Sequence, residues 1–298
     1  MGILGLKKVN CKNCHKCIRE CPVKSIDFTN DQANIIDHEC ILCGRCVVAC
    51  PQNAKNVKDD TGLVLEAIAA GKKVVASVAP SFIADFDVDG IKTFEKTLQA
   101  LGFAYACETA EGAYIVKKEY ERMVNGAQQD VIITTCCHSA VKLVQKYFPS
   151  LVGCLAPALS PMQAHGRLIK QRDPDAFVVF IGPCISKKEE IIAYPGDVDV
   201  VLTFEELRGM MDQKQIDWAQ PGDDVATERY RSRFFPTTGG ILQSMDQEGT
   251  DYRYMAIDGA ENCIAAFKEI AAGNLHHYFI EMSVCEGSCI AGDGRAHV

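Results

Sequence analysis

The sequence predicts an α/β protein, with parallel sheets flanked by helices and a small cysteine-rich α+β module in front. Three observations carry this. Eight of the sixteen cysteines fall within residues 11–50. After Asn56 apolar β-type runs alternate with amphipathic helical segments, the pattern of sheets covered on both faces. A length of 298 residues suits two domains, or one small module beside a larger body.

The module comes first. Positions 11–22 read CKNCHKCIRECP and positions 40–51 read CILCGRCVVACP, each a C-x2-C-x2-C-x3-C-P run, 29 residues apart. The pair resembles the two-cluster run of bacterial ferredoxins, in which the fourth cysteine of each run ligates the other run's cluster. The expected ligand sets are Cys11, Cys14, Cys17 and Cys50 for one [4Fe–4S] cubane, and Cys40, Cys43, Cys46 and Cys21 for the other. Short spacings let three thiolates wrap one cubane, and Pro22 and Pro51 turn the chain after the fourth. A zinc ribbon has no need of eight thiolates in this double register. The module, expected over residues 1–58, is a wire or a store for electrons and does not reveal the chemistry it feeds.

Beyond it, VVASVAP (74–80), FAYAC (103–107), VIITTCC (131–137), AFVVFIGPC (176–184), DVVLTF (199–204) and HYFIEMSVC (277–285) read as buried strands. Segments around 90–101, 109–125, 139–147, 160–171 and 238–246 read as helices. Besides FAYAC, three of the strand runs end in cysteine, at Cys137, Cys184 and Cys285. Ligands of open α/β sheets sit in the crevice at the carboxyl ends of strands, so distant cysteines are expected to meet at one site. Cys289 adds a fourth through the tight CEGSC loop that contains Gly287. Cys136 beside Cys137 needs another explanation, since neighbouring strand residues point to opposite faces and cannot easily serve one metal together.

Composition excludes several classes. A net charge of −8 argues against nucleic acid as a partner, because phosphate binding needs a basic surface. No apolar run approaches the roughly 18 residues of a membrane span. The start, MGILGLKKVNCK, has too little apolar length for a secretory signal, and Leu6 stands where a myristoylation motif wants Ser or Thr. Nothing implies export. In the cytoplasmic protein this suggests, clustered cysteines read as metal ligands or redox groups rather than disulfides.

Three signatures now stand in order: TTCCHSA (134–140); Pro183, Cys184, Lys187 and Glu190 of a P-C-x2-K-x2-E pattern; and CEGSCIAG (285–292). VAPS (78–81), FPTTGG (235–240) and YFPSLVGCLAPALSPMQAHGRLIK (147–170) accompany them. Together they resemble the H-cluster domain of [FeFe]-hydrogenases across nearly the whole chain. The resemblance implies a two-lobed domain over 59–298 with a lobe boundary near 172. It implies Cys137, Cys184, Cys285 and Cys289 as ligands of a third cubane, with Cys289 bridging to a two-iron subsite bearing CO, cyanide and an azadithiolate. That subsite is absent unless maturation enzymes have installed it. Cys136 becomes the proton donor and acceptor. Lys187 serves one cyanide with Glu190 fixing it, Ser81 serves the other, and Pro80, Phe235 and Gly239 belong to the same cofactor pocket.

Plainer readings stand beside these. Cys136 is a packed thiol, as many cysteines are; Lys187 is a solvated helix-start lysine, as its neighbour Lys188 is expected to be; Pro80, Gly239 and Gly240 shape turns. Cys107, Cys154 and Cys263 match no motif and are expected in the core. His15 reads as a polar spacer, and His276 with His277 lacks spaced partners for a metal. His138 is either a proton relay or cluster-tuning group, or a surface or packing residue.

The sequence departs from catalytic members of the family. His138 and Ala140 replace a proline and a tryptophan, Gly182 and Ser283 stand where methionines pack on the subsite (Met282 is one residue off), and Ala156 replaces a serine of the proton path. Glu108, Glu111, Glu119 and Glu121 are candidates for a rebuilt path. These changes resemble a sensory-type branch. The chain stops nine residues after Cys289 with no output domain, which leaves open a shortened protein or a minimal one with a separate partner. Three functions compete: reversible 2H⁺ + 2e⁻ ⇌ H2 coupled to a ferredoxin, the same chemistry run slowly to report hydrogen to a signalling protein, and an iron–sulfur protein that lacks the two-iron subsite.

Overall fold

The computed structural model describes residues 2–218 and 231–291. Its first part is built from short elements: strand β1 (Leu4–Leu6), helix α1 (Lys16–Glu20), strands β2 (Ile26–Thr29) and β3 (Gln32–Ile35), helix α2 (Arg45–Val48) and strand β4 (Lys55–Val57). β1 pairs with β4 and β2 with β3, both antiparallel. The 29-residue sequence repeat is also a backbone repeat. Asn13 and Leu42, His15 and Gly44, and Lys24 and Asn53 are equivalent by the repeat, and all six have positive φ. Left-handed backbone disfavours side-chain-bearing residues, so its recurrence at matched positions marks a required loop shape.

Helix α3 (Thr61–Ala69) leads into strand β5 (Lys73–Val78), helix α4 (Ile91–Leu101), strand β6 (Tyr105–Glu108), helix α5 (Ala110–Gly126) and strand β7 (Val131–Ile133). Helices α6 (His138–Tyr147) and α7 (Pro161–Arg172) precede strand β8 (Ala176–Gly182), helix α8 (Lys187–Ala193), strand β9 (Val200–Thr203) and helix α9 (Phe204–Lys214). Helix α10 (Gly240–Ser244), strand β10 (Arg253–Asp258), helix α11 (Ala260–Ala271) and strand β11 (Tyr278–Ser283) complete the described residues.

Two parallel sheets result, ordered β6-β5-β8-β9 and β10-β11-β7. A division of the chain near residue 172 does not follow them. β7, at 131–133, belongs with β10 and β11, while β5 and β6 before it pair with β8 and β9. The chain crosses from one sheet to the other and back, because each sheet needs neighbours from both halves to cover its central strand. The strand order reverses between β5 and β8 in one sheet and between β7 and β11 in the other. Such switch points open crevices at the carboxyl ends. Ser81 follows β5, Cys184 follows β8, Cys136 and Cys137 follow β7, and Cys285 follows β11.

The first part sits on the body through its second cysteine run. Ile41 and Cys43 join the core under β7, and Ile185 fills the core of the cysteine module. Lys146 donates to the carbonyl of Cys40 at 2.7 Å and Tyr147 to that of Glu39 at 2.8 Å.

Lys188 differs from its sequence reading. It is only 1% exposed, and its ammonium donates to Asp60 and Glu206 at 2.8 Å each and to the Val201 carbonyl at 2.9 Å. A buried charge needs opposite charge close by, and two carboxylates from α9 and the start of α3 supply it. Replacing Lys188 with methionine leaves Glu206 without a cation and Asp60 with Lys58 alone, and should destabilise the protein by about 3–5 kcal/mol in denaturant unfolding; a loss within ~0.5 kcal/mol, the size of a surface substitution, would show the network is solvated.

Candidate metal centre

In the module, Cys17, Cys21, Cys40, Cys43 and Cys46 are buried, Cys11 and Cys50 half-buried, and Cys14 exposed. Electrostatic neighbours group them across the runs: Cys17 lies near Cys50 and Cys14, and Cys21 lies near both Cys40 and Cys46. Cys46 also feels Cys17, so the thiols of the two runs lie side by side. Backbone N–H groups of Leu42 and Ala54 donate to the sulfurs of Cys40 and Cys50 at 3.3 Å, contacts that suit thiolates.

The body holds a second centre. Cys136, Cys184 and Cys289 line one cavity of about 90 Å³ with Pro80, Ser81, Lys187 and Phe235. Cys137, the residue before α6, acts electrostatically on Cys289. Cys285 lines an adjacent cleft of about 390 Å³ with Cys43, Arg45 and Glu286, on the side of the module's second run. Arg45 spans this junction, paired with Glu261 and with Glu286 at 3.1 Å. Among the described residues no three His, Cys, Asp or Glu side chains converge closely enough to hold a single ion.

The cavity's polar groups fit an anionic diatomic ligand. The Ser81 hydroxyl is buried and has no hydrogen-bond partner among the described residues. Lys187, at the start of α8, donates to the Cys136 carbonyl at 3.0 Å and to Glu190 at 2.5 Å, which leaves one of its three N–H groups. Burial works against its charge, but Glu190 more than offsets this and holds the ammonium above the ordinary lysine range. Glu190 is held in turn by the Ser160 hydroxyl, and His138 Nδ1 lies 3.8 Å away. His138 is buried, not a surface residue. Its other ring nitrogen bonds Glu189, whose carboxyl is drawn down to about 2 by His138 and Lys142.

Cys136 faces the cavity, and the Tyr120 hydroxyl lies 3.2 Å from its sulfur. Burial pushes the Cys136 thiol up to about 12, so it keeps its proton at neutral pH. Tyr120 comes from α5, which also carries Glu111, Glu119 and Glu121, while Glu108 ends β6; all four expected carboxylates are engaged elsewhere. Glu108 pairs with Arg233 at 2.5 Å, Glu111 with Arg172 at 2.7 Å, Glu119 with Arg122 at 2.6 Å, and Glu121 with Lys118 at 2.8 Å. Ala156 is buried without a hydroxyl, although Thr135 places one against the Ala156 and Ala158 carbonyls.

The expected methionine positions are rebuilt. A side chain at Gly182 would meet the Phe180 ring at 2.7–2.8 Å and Ala79 at 3.1 Å. Phe180 and Met162 line the cavity, so its apolar wall comes from neighbours rather than from position 182. Met282 packs in the core under β7 and does not reach the cavity. Cys263 is a buried core residue, as expected. Gly292 of the third signature lies outside the described residues.

Gly239 also falls away from the cavity. Its N–H and those of Gly240, Ile241 and Leu242 point at the carboxylate of Glu281, with Leu242 donating at 3.1 Å. Glu281 is buried on β11, and burial pushes its carboxyl up to about 7 despite these donors. Its charge is felt at Cys136 and Cys289. Sequence reading missed this residue. Within HYFIEMSVC it reads as a single charge in a buried strand, and that misfit was the available signal.

The fold and its thiols define an iron–sulfur protein with a two-cluster module and a separate cysteine-lined cavity. A family model described as iron only hydrogenase large subunit, C-terminal domain, matches residues 72–293, and a 4Fe-4S dicluster domain model matches residues 4–52. The chain belongs to the iron-only hydrogenase large-subunit family. It is 26% identical to Iron hydrogenase 1 of Clostridium pasteurianum, covering 92% of this chain and 66% of that protein. It is also 26% identical, over 60% of its length and 43% of the other, to the cytosolic Fe-S cluster assembly factor NAR1 of Eremothecium gossypii. A variant of [FeFe]-hydrogenase HydA1 from Chlamydomonas reinhardtii superposes with a TM-score of 0.60 at 17% identity, over 81% of this chain and 85% of that one. This last likeness shows the fold. No helix among the described residues is long and apolar enough to cross a membrane.

Two measurements follow. Gly182→Met should cost about 1–3 kcal/mol alone, and adding Phe180→Ala should recover part of it, giving a non-additive cycle; additive costs would mean the ring does not fill that space. For Glu281, a carboxyl raised in the fold stabilises fully below its unfolded value near 4.5, and that contribution fades as pH rises toward about 7. Glu281→Gln should therefore gain on the wild type between those pH values, by something on the order of 3 kcal/mol. A stability difference that stays flat with pH would place the carboxyl in solvent.

Proposed function

We propose that this chain carries out the reversible interconversion of protons, electrons and H2, slowly and in a hydrogen-sensing role, with residues 1–58 as its electron-carrying module and 59–298 as its hydrogenase body. One observation carries the reading. The Ser81 hydroxyl and the third N–H of Lys187 have no partner among the described residues, in a cavity that the protonated Cys136 thiol also lines. Buried donors without acceptors are costly, so their presence argues for ligands that complete them. Cyanide on a two-iron subsite is such a ligand, and a protein holding cubanes alone would not need those donors.

When bound, the H-cluster supplies heterolytic cleavage and formation of H2. The protein's own groups do the rest. Cys137, Cys184, Cys285 and Cys289 hold the cubane. Lys187, fixed by Glu190, and Ser81 orient the subsite through hydrogen bonds, a role that falls to outer contacts when covalent links are few. Pro80 and Phe235 exclude water. Cys136 holds a proton at Sγ facing the cavity. Tyr120 keeps that sulfur in place, and Glu281, poised near neutrality, receives the proton on the way out. The wall rebuilt around Gly182 and the hydroxyl lost at Ala156 support slow turnover. Electrons are exchanged with a ferredoxin or a signalling protein, and maturation enzymes install the subsite. We place the protein in the cytoplasm, whose reducing conditions suit sixteen cysteines.

A second reading, an iron–sulfur protein without the subsite, is favoured by the similarity to the NAR1 assembly factor. Infrared spectra of protein matured by its assembly enzymes separate the two. CO and cyanide bands are expected, and their absence would remove the hydrogenase reading. Cys136→Ala should keep those bands while lowering turnover by ~10²–10⁴-fold; unchanged turnover would assign proton transfer to another group. A wild-type rate on the order of 10² per second or more would set the sensing role aside.

A further inference from the structure

Among the described residues three lysines are buried: Lys55, Lys187 and Lys188. A buried ammonium needs opposite charge beside it. Glu190 answers Lys187, and Asp60 with Glu206 answers Lys188. Lys55 is the exception. It is 2% exposed, its Nζ donates to the Ala33 carbonyl at 2.5 Å, and among the described residues no carboxylate pairs with it.

What Lys55 does face is sulfur. Its charge is felt at Cys11, Cys17 and Cys46, and at Cys17 it is the largest charge effect. The Ala33 N–H bonds the Cys11 sulfur and draws that thiol below its ordinary range. The residue that accepts from Lys55 therefore also donates to an expected ligand. On the other side, the N–H of Ala54, next to Lys55 in the chain, donates to the Cys50 sulfur at 3.3 Å.

The 29-residue repeat isolates this cation. By the repeat Lys55 is equivalent to Ile26, which is also buried, at 6% exposure. One half of the module thus places a hydrocarbon where the other half places an ammonium. Cys11, Cys17 and Cys50 belong to one expected ligand set, and Cys46 belongs to the other. The module is symmetric in its cysteines and asymmetric in its charge.

We infer that Lys55 is the counter-ion of the cluster held by Cys11, Cys14, Cys17 and Cys50, and that it sets this cluster at the higher reduction potential of the module's pair. A cubane with four thiolates is a net anion and becomes more negative on reduction. A fixed cation beside it, shielded from water, favours the reduced form. The step is the uptake of one electron from a low-potential one-electron donor, which is itself oxidised by one electron, with no bond made or broken. The module's first electron then rests at this cluster. Its onward passage to the cluster of Cys43, which lines one cleft with Cys285, runs uphill. This inference rests on the reading of the module as a two-cluster wire.

The test is voltammetry of the full chain reconstituted with its cubanes alone. Cys14→Ser and Cys40→Ser identify the two module waves, since each ligand change moves the wave of its own cluster. Cys14→Ser should move the higher of the two; movement of the lower one would overturn the inference. Lys55→Met should lower the same wave until, at a fixed potential, the ratio of reduced to oxidised cluster has fallen at least about tenfold, which is about 59 mV for one electron. Lys12→Met removes an exposed charge between Cys11 and Cys14, and should change that ratio by no more than about threefold. Lys55→Arg keeps the charge and should stay within about threefold of the wild type. A Lys55→Met chain with full iron content and the wild-type ratio would overturn the role of the charge, as would an equal fall in Lys55→Arg. Where Lys55→Met does not load its clusters, the order of the two waves in the wild-type chain decides alone. A wild-type preparation whose iron content and electron paramagnetic resonance show no module clusters would instead overturn the wire reading itself.

Discussion

A charged lysine inside a protein must be neutralised where it stands, and much of this molecule's centre is arranged around that requirement. Lys187 rises from the sheet that contains β5 and β8, yet it bonds the carbonyl of Cys136, which hangs from the sheet that contains β7 and β11. Glu190 answers its charge, and Ser160 and His138 hold Glu190. The ammonium thus joins two independently wound sheets at the point where their strand ends meet. Remove the counter-charge and the junction loses its reason to close. Retain it, and a thiol, a hydroxyl and an ammonium face one small volume.

The cavity's walls show how such a junction tolerates change. A methionine at 182 has no room because Phe180, two residues earlier on the same face of β8, swings its ring into that volume. The apolar character survives while its source moves along the strand. Polar function moves in a similar way: α5 keeps a group at the thiol, but it is the Tyr120 hydroxyl, and the carboxylate that feels Cys136 comes from β11.

Much of this was legible in the sequence, and the limits have physical causes. Cysteine spacing is stereochemical, so the two runs and the three strand-end cysteines could be read directly. Buried parallel strands are continuous apolar runs, which made β5, β8, β9 and β11 plain. β10 was missed because RYMAID is an edge strand, half-covered and led by Arg253, and so lacks that run. In the body, helices α3, α8, α9 and α11 went unread, and length is not the reason, since α9 and α11 are as long as α4 and α7. Lys188 and Glu281 could not be placed, since a lone charge in a string carries no record of whether a partner waits for it. Gly239 was read for its motif, and its amide proved to serve a carboxylate from a distant strand.

Arg45 sits between two cysteines of the inner run and grips the residue that follows Cys285. A single side chain thereby ties two distant cysteine loops to each other. Thermal breathing of the small module then carries both loops together, which on the proposed hydrogenase reading would hold the width of the gap that an electron tunnels across.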